Sequence, residues 1–365
     1  LITSLAALLL TAQTKAFDLA EITLSNPKGG PSRLKAMMQM RPLAESKLSP
    51  KRFGNPPQQW EFPYVVSAYG TMPAAPSGSP PELRFRIYSQ TRTGLDDPAV
   101  EVAKMLLRLW DFNVSQLGLD HGRAYSEGVI DVYLCAAGLP GGEQRFDVDN
   151  QRKRGRVNTI YIYDLASFND PLERAREIAH EYGHAALPPI GGFQEPEDWA
   201  NGYLGERLYL QWIRDELLAG RYGVADCMQA TDDEINAYVK KNVDPIVERA
   251  AVDGPKTAIS GVGKTAMDNF MGLALYVSSA LRPRVLARSM LLNDPSRRWE
   301  FIESIELAAM EPESTAVQFP ANLAGKSVWL PVGEGKLSGA QTLKKSGKWV
   351  QVKAQAGITI TQTRR

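Results

Sequence analysis

The sequence predicts a mixed α+β chain, and three observations carry that prediction. Between residues 83 and 163, short segments either alternate apolar and polar side chains or run apolar, as strands do. From Pro171 onward, apolar positions recur at helical spacing for well over a hundred residues. After Pro312 strand character returns in short pieces separated by Gly-containing turns. The composition is that of a folded chain: of 365 residues, 44% are apolar and 23% charged, which excludes a disordered tail or a collagen-like fibre. Forty-two basic residues against 41 acidic ones leave a net charge of +1, without the basic excess that general nucleic-acid or anionic-membrane binding needs. No apolar run is long enough for a membrane span.

The elements follow in chain order. Leu1 to Ala12 are apolar or small and too short to cross a bilayer. With Thr14-Lys15-Ala16 as a small-x-small cleavage site, residues 1–16 are expected to be a secretory signal, and the chain to be secreted or periplasmic. Residues 17–81 are a Pro- and Lys-rich extension ending in the linker 72–81, where prolines and small residues cannot build a packed element. Leu83 to Tyr88 alternates as a strand. Asp97-Pro98 caps a helix that buries Ala99, Ala103, Leu106, Trp110 and Leu117. Val129–Cys135 and Val157–Tyr163 are two further strands, separated by a Gly-rich charged loop with Arg152, Lys153, Arg154 and Arg156. Helices are expected at 171–187, 199–219, 231–250, 264–281 and 296–310, with Thr231 and Glu234 forming a capping box. Residues 82–311 thus form one mixed α+β domain and 312–365 a small β-rich module, a candidate for cell-envelope attachment. An exported chain with two cysteines tends to pair them, so Cys135 and Cys227 are expected within disulfide reach.

Residues 180–184 read His180-Glu181-Tyr182-Gly183-His184. Histidines at i and i+4 project from one helix face, so both imidazoles can reach one metal ion. Glu181 is placed to take a proton from a metal-activated water rather than to bind the metal. Asp170 as N-cap, Pro171 at N1, and Pro188-Pro189 one turn past His184 mark out the helix that presents them. Catalytic zinc normally takes three protein ligands. The remaining histidine, His121, lies upstream in a turn-like sequence, so a downstream carboxylate is expected to be the third. Glu206 is preferred, because it sits in a helix that can pack antiparallel to the first, with Gly202 and Gly205 allowing close approach. Glu195 and Glu197 flank Pro196 in a loop and read as solvated, with Glu197 a candidate cap of the second helix.

With these residues in place the chain resembles a gluzincin, the thermolysin-like branch of zinc metallopeptidases. The resemblance rests on His180-Glu181-x-x-His184, on Glu206 about twenty residues later, and on strands before and helices after the motif. It implies a zincin-like catalytic domain, a Zn²⁺ cofactor held by His180, His184 and Glu206, Glu181 as general base, and a peptide or protein substrate. It also implies an edge strand that holds the substrate, for which Val157–Tyr163 or Val129–Cys135 are candidates. The family often stabilises the oxyanion with a later His or Tyr. No histidine follows His184, which leaves Tyr203, Tyr222, Tyr238 and Tyr276.

Three other signals are discounted. Ala258 to Thr265 ends in Gly-Lys-Thr like a phosphate-binding loop, but lacks its first glycine and a preceding buried strand. Asn113-Val114-Ser115 is a glycosylation sequon inside an expected helix. Trp329 and Trp349 read as core residues of the C-terminal module. An exported zinc-dependent peptidase is the leading functional expectation. The alternative is a non-catalytic envelope-binding protein that keeps a zincin-like fold, against which Glu181 speaks, since metal binding alone needs no base between the histidines.

Overall fold

A run that is buried on every residue must lie inside a sheet, and Ile130–Cys135 is such a run. The structure, a computed structural model, describes residues 20–22, 36–42, 47–48, 60–61, 64–72, 79–89, 98–120, 128–136, 138–149 and 155–362. The expected signal segment, most of the extension and linker, Asp97, His121 and the basic residues Arg152, Lys153 and Arg154 lie outside them.

The main sheet has seven strands. In chain order they are β1 (Ala20–Ile22), β2 (Ala36–Pro42), β5 (Tyr64–Gly70), β6 (Glu82–Ser89), β7 (Ile130–Cys135), β8 (Gly141–Asp149) and β9 (Gly155–Tyr163). A separate short pair comprises β3 (Lys47–Leu48) and β4 (Trp60–Glu61). The spatial order is β1-β2-β5-β6-β7-β9-β8. The strands β6, β7 and β9 are mutually parallel, and β8 closes the sheet antiparallel to β9. Helix α1 (Pro98–Phe112) makes the crossover from β6 to β7 and packs its apolar face on β5 and β6. Alternation puts Phe85, Ile87, Ile130, Val132, Ile160 and Ile162 on the helix side of the sheet. On the other side Tyr88, Tyr133 and Tyr161 stack in series, at 4.7 and 5.0 Å between centroids.

The β8 strand corrects two expectations. Residues 141–149 were expected to be loop, because two glycines and five charged or amide side chains give little apolar signal. They nevertheless pair with β9 along their whole length, as a terminal strand can do with one edge unpaired. The expected edge strands are both interior: β7 lies between β6 and β9, and β9 lies between β7 and β8.

The helical half consists of α2 (Pro171–Ala186), α3 (Asn201–Leu218), α4 (Asp232–Asn242), α5 (Asp244–Asp253), α6 (Pro255–Ala258), α7 (Gly263–Ala280), α8 (Pro283–Leu292) and α9 (Phe301–Met310). The capping box at Thr231 and Glu234 is formed. The helix expected over 231–250 is two helices. Pro245 lacks an N–H and cannot continue α4, but suits the first turn of α5. The same property of Pro283 starts α8, an element with no counterpart among the expected helices. Helix, not a strand, precedes the Gly-Lys-Thr segment, and α7 begins at its Gly263. Among the described residues no helix is long and apolar enough to cross a membrane.

The C-terminal region is β-rich, as expected. One three-stranded sheet orders β10 (Ser314–Ala316), β15 (Thr359–Thr361) and β12 (Lys336–Ser338), and a second orders β11 (Ser327–Pro331), β14 (Trp349–Lys353) and β13 (Lys344–Ser346). It is tied to the helices by Trp349 Nε1, which donates to Glu306 on α9 at 2.9 Å, and by the Tyr276 hydroxyl, which donates to the Trp329 carbonyl at 2.8 Å. The two cysteines are not paired. Cys135 is buried at the end of β7 on the tyrosine side of the sheet and Cys227 in the main core, each a small apolar side chain.

Candidate metal centre

Helix α2 begins as its sequence dictates, with the Asp170 side chain accepting from Leu172 N at 2.9 Å and Pro171 in the first turn. It lies under β8 and β9 and crosses α3 at two glycines. A Cβ on Gly205 would sit 2.5 Å from Gly183 Cα, and one on Gly183 would sit 2.5 Å from the Asn201 carbonyl oxygen. Only glycine at both positions lets the backbones meet. Gly202 has a different task from the one expected: its missing side chain leaves the space that the His184 imidazole fills.

The two imidazoles stand edge to face, with Nε2 atoms 3.1 Å apart. Glu197 faces both, its Oε1 3.0 Å from His180 Nε2 and its Oε2 3.1 Å from His184 Nε2. These three side chains can hold a metal ion, and they are the one such group among the described residues. On the far side of each ring lies a second partner. Asn201 spends its amide N–H groups on the carbonyls of Gly183, His184 and Leu187, so its Oδ1 is left to accept from His184 Nδ1 at 3.3 Å. His180 Nδ1 faces Glu206 Oε2 at 3.6 Å. With one proton on each Nδ1, the Nε2 lone pairs would point at one another and at a carboxylate, an arrangement relieved by a metal ion or, without one, by a second proton on His180.

The placement of Glu206 therefore differs from the sequence expectation. It is on α3 beside α2, as expected, but behind His180 rather than between the imidazoles. Its Oε1 accepts from Arg176 Nε and from the Tyr238 hydroxyl, both at 2.7 Å, in a site that leaves the side chain 4% exposed. Glu197, read from the sequence as a solvated loop residue, takes the facing position. What the sequence concealed is that its loop is ordered. Gly191 and Trp199 bridge across it, Gly191 N donates to the Pro295 carbonyl at 2.5 Å, Ala200 N donates to the Ile190 carbonyl at 2.8 Å, and Arg298 lies over the Phe193 ring. Glu195 points elsewhere, to the turn at Gly263.

Electrostatics follow from burial. Glu181 is 4% exposed, and burial, with Glu177, Glu197 and Glu143 nearby and only His180 opposing, pushes its carboxyl up to about 8. Its Oε2 is buried without a hydrogen-bond partner. Burial works against charge on His180, but its contacts with Glu197 and Glu206 override it and lift the imidazole to about 10. Burial likewise opposes ionisation of Glu197 and Glu206, yet the histidines, and for Glu206 also Arg176, Arg207 and Tyr238, hold each at about 2.

The structure separates the four tyrosines. Tyr203 meets His180 edge-on at 4.7 Å between centroids and makes no hydroxyl hydrogen bond among the described residues. The Tyr238 hydroxyl is committed to Glu206 and the Tyr276 hydroxyl to the Trp329 carbonyl, while Tyr222 is buried under Arg108. The sequon residue Asn113 is interior, bridging the Tyr182 and Tyr209 hydroxyls, out of reach of a glycan. The chain matches no protein-family model, no curated protein and no solved structure.

Proposed function

We propose that the chain is a zinc-dependent peptidase whose metal is held by His180, His184 and Glu197. The observation that carries this reading is the convergence of two imidazole Nε2 atoms and one carboxylate within 3.0–3.1 Å of each other, beside a buried glutamate with a free oxygen. Zinc–ligand bonds of about 2.0–2.1 Å at tetrahedral angles set ligand atoms roughly 3.3 Å apart, close to the spacing here. Two imidazoles and one carboxylate are also a donor set that zinc takes in hydrolytic sites. A third donor carried on a loop departs from the gluzincin pattern of a helical glutamate, so the proposal is a zincin-like peptidase with its own ligand arrangement.

Bound zinc supplies Lewis-acid polarisation of the scissile carbonyl and acidifies a water molecule. The remaining chemistry belongs to the chain. The charge of a zinc ion held beside it would favour the ionised form of Glu181 against the burial that lifts its carboxyl to about 8, and the carboxylate then accepts a proton as the water oxygen bonds to the carbonyl carbon and the carbonyl π pair moves to oxygen. When that pair re-forms the carbonyl, the C–N bond breaks and Glu181 returns the proton to the leaving amine. Tyr203 is the tyrosine suited to donate a hydrogen bond to the oxygen that gains charge. The outer edge of β8, unpaired among the described residues and running beside α2, suits an extended peptide added as a further strand.

The test combines metal analysis with cleavage of a peptide library. Wild type is expected to bind one zinc, to lose cleavage on chelation and to regain it with zinc. Glu181→Gln should keep the zinc and lose about 10²–10⁴-fold in rate, since an amide cannot accept the proton. Cleavage by Glu181→Gln at the wild-type rate contradicts the mechanism.

A further inference from the structure

We infer that a cleft on the far side of α3 from the two histidines binds a neutral saccharide unit. Helix α3 has two occupied faces. Glu206 meets His180 of α2, whereas Leu208, Gln211, Trp212 and Asp215 recur at i, i+3, i+4 and i+7 on another stripe, with Leu208 about 200° round the helix from Glu206. That stripe, the end of α1 at Phe112, the end of α7 at Ser278, the start of α8 at Pro283 and the turn 318–320 line a cleft of about 270 Å³. The turn is tied down by Gln318 N, which donates to the Ala280 carbonyl at 3.0 Å. The volume corresponds to roughly nine waters, room for one small ring with its substituents rather than for a stretch of peptide.

The walls define the chemistry of the ligand. Phe112, Trp212 and Phe319 make them largely aromatic, and the Trp212 ring is held by Phe112 and Tyr222 at 4.7 and 5.1 Å between centroids. Set among these rings are Gln211 and Ser278, 9% and 5% exposed. Neither side chain makes a hydrogen bond with any described residue, and their nitrogen and oxygen atoms are not enclosed, so the surface they keep faces the cleft. Buried polar groups are ordinarily paired within a fold, and two left open to one cleft call for a ligand that pairs with them. An apolar ligand would strand both. A charged one finds no free partner, because Arg214 and Asp215 at the same cleft hold each other at 3.0 Å. A carboxamide and a hydroxyl each donate and accept, as the hydroxyl groups of a sugar do. The C–H face of a sugar ring is slightly positive and suits the negative face of an aromatic ring. Aromatic walls with a few neutral polar groups thus fit a saccharide unit, supplied either as a free monosaccharide or as the end of a polysaccharide.

The experiment titrates the full chain by calorimetry with glucose, galactose and N-acetylglucosamine, with the β-linked tetramer of each, and with N-acetylphenylalaninamide as a neutral amide. At least one sugar is expected to saturate one site per chain. Equal binding of monomer and tetramer identifies a free monosaccharide as the ligand, and tighter binding of the tetramer identifies a polysaccharide end. Gln211→Leu and Ser278→Ala, checked for folding by circular dichroism, should each weaken that binding about three- to tenfold, as for the loss of one neutral hydrogen bond. If Gln211→Leu does not fold, Ser278→Ala alone decides. Since the Ser278 hydroxyl has no partner in the fold, Ser278→Ala should also unfold in urea no earlier than wild type. Saturation by none of the sugars, sugar binding left unchanged by the folded variants, or preference for the amide over every sugar overturns the inference. So does a loss of stability in Ser278→Ala, which would mean that its hydroxyl is already paired.

Discussion

Glu206 stands behind His180, its Oε2 3.6 Å from Nδ1, on the opposite side of the ring from the Nε2 that Glu197 meets. One imidazole is thus held between two carboxylates with separate tasks. Glu206 orients the ring, anchored in turn by Arg176 and Tyr238. Outer partners of this kind typically contribute about 10–100-fold to metal affinity.

The same anchoring gives a pH signature. Burial opposes the Glu206 charge, but His180, Arg176, Arg207 and Tyr238 hold its carboxyl at about 2 against an ordinary 4.5, with Glu177 the nearby like charge. A carboxyl depressed by folding contributes stability that is complete above pH 4.5 and is lost as pH falls toward 2. Glu206→Gln should therefore be less stable than wild type at neutral pH, with the gap in urea midpoint closing between those two values. A gap that stays constant across that range contradicts the assignment.

Helix crossing offers a steric prediction. Gly205→Ala gains helix propensity but sets a methyl group 2.5 Å from Gly183 Cα, a backbone atom that no rotamer change can move. A net loss of about 1–3 kcal/mol is expected in urea unfolding, as for an overpacked core. Metal binding should weaken with it, because α3 carries Asn201 and Glu206. Unchanged stability would mean that the helices do not pack at these glycines.

Tyr203→Phe retains the ring against His180 and removes only the hydroxyl. Loss of one donor to a developing oxyanion typically costs about 10²–10³ in kcat, with KM little altered. Tyr222→Phe, buried under Arg108, should behave as wild type. Steady-state kinetics on one good peptide decides this, and a Tyr203→Phe enzyme with wild-type kcat removes Tyr203 from the reaction.

The motif helix was legible because every signal for it is local: an N-cap, a Pro at N1, two histidines one turn apart and a Pro-Pro stop. The β-rich C-terminal region was legible from its alternation and turns. Two features were not. Six of the nine residues of strand β8 are glycine or charged, so it carries no strand pattern of its own and is held by its pairing with β9. Glu197 reads as solvated because loop order comes from contacts with Pro295 and Arg298, about a hundred residues away in sequence. Glu206 looked the better donor because helical placement was visible and the demands of Arg176 and Tyr238 were not. Long-range contacts set which carboxylate faces the two imidazoles, and composition carries no trace of them.

Zinc titration of four proteins tests the account most directly: wild type, Glu197→Ala, Glu206→Ala and His184→Ala, each checked for folding by circular dichroism. Wild type should take up one equivalent tightly. Glu197→Ala and His184→Ala should lose tight binding, and Glu206→Ala should keep one equivalent with affinity reduced about 10–100-fold. Tight stoichiometric zinc in Glu197→Ala, with none in folded Glu206→Ala, would contradict the assignment and put the third donor on α3.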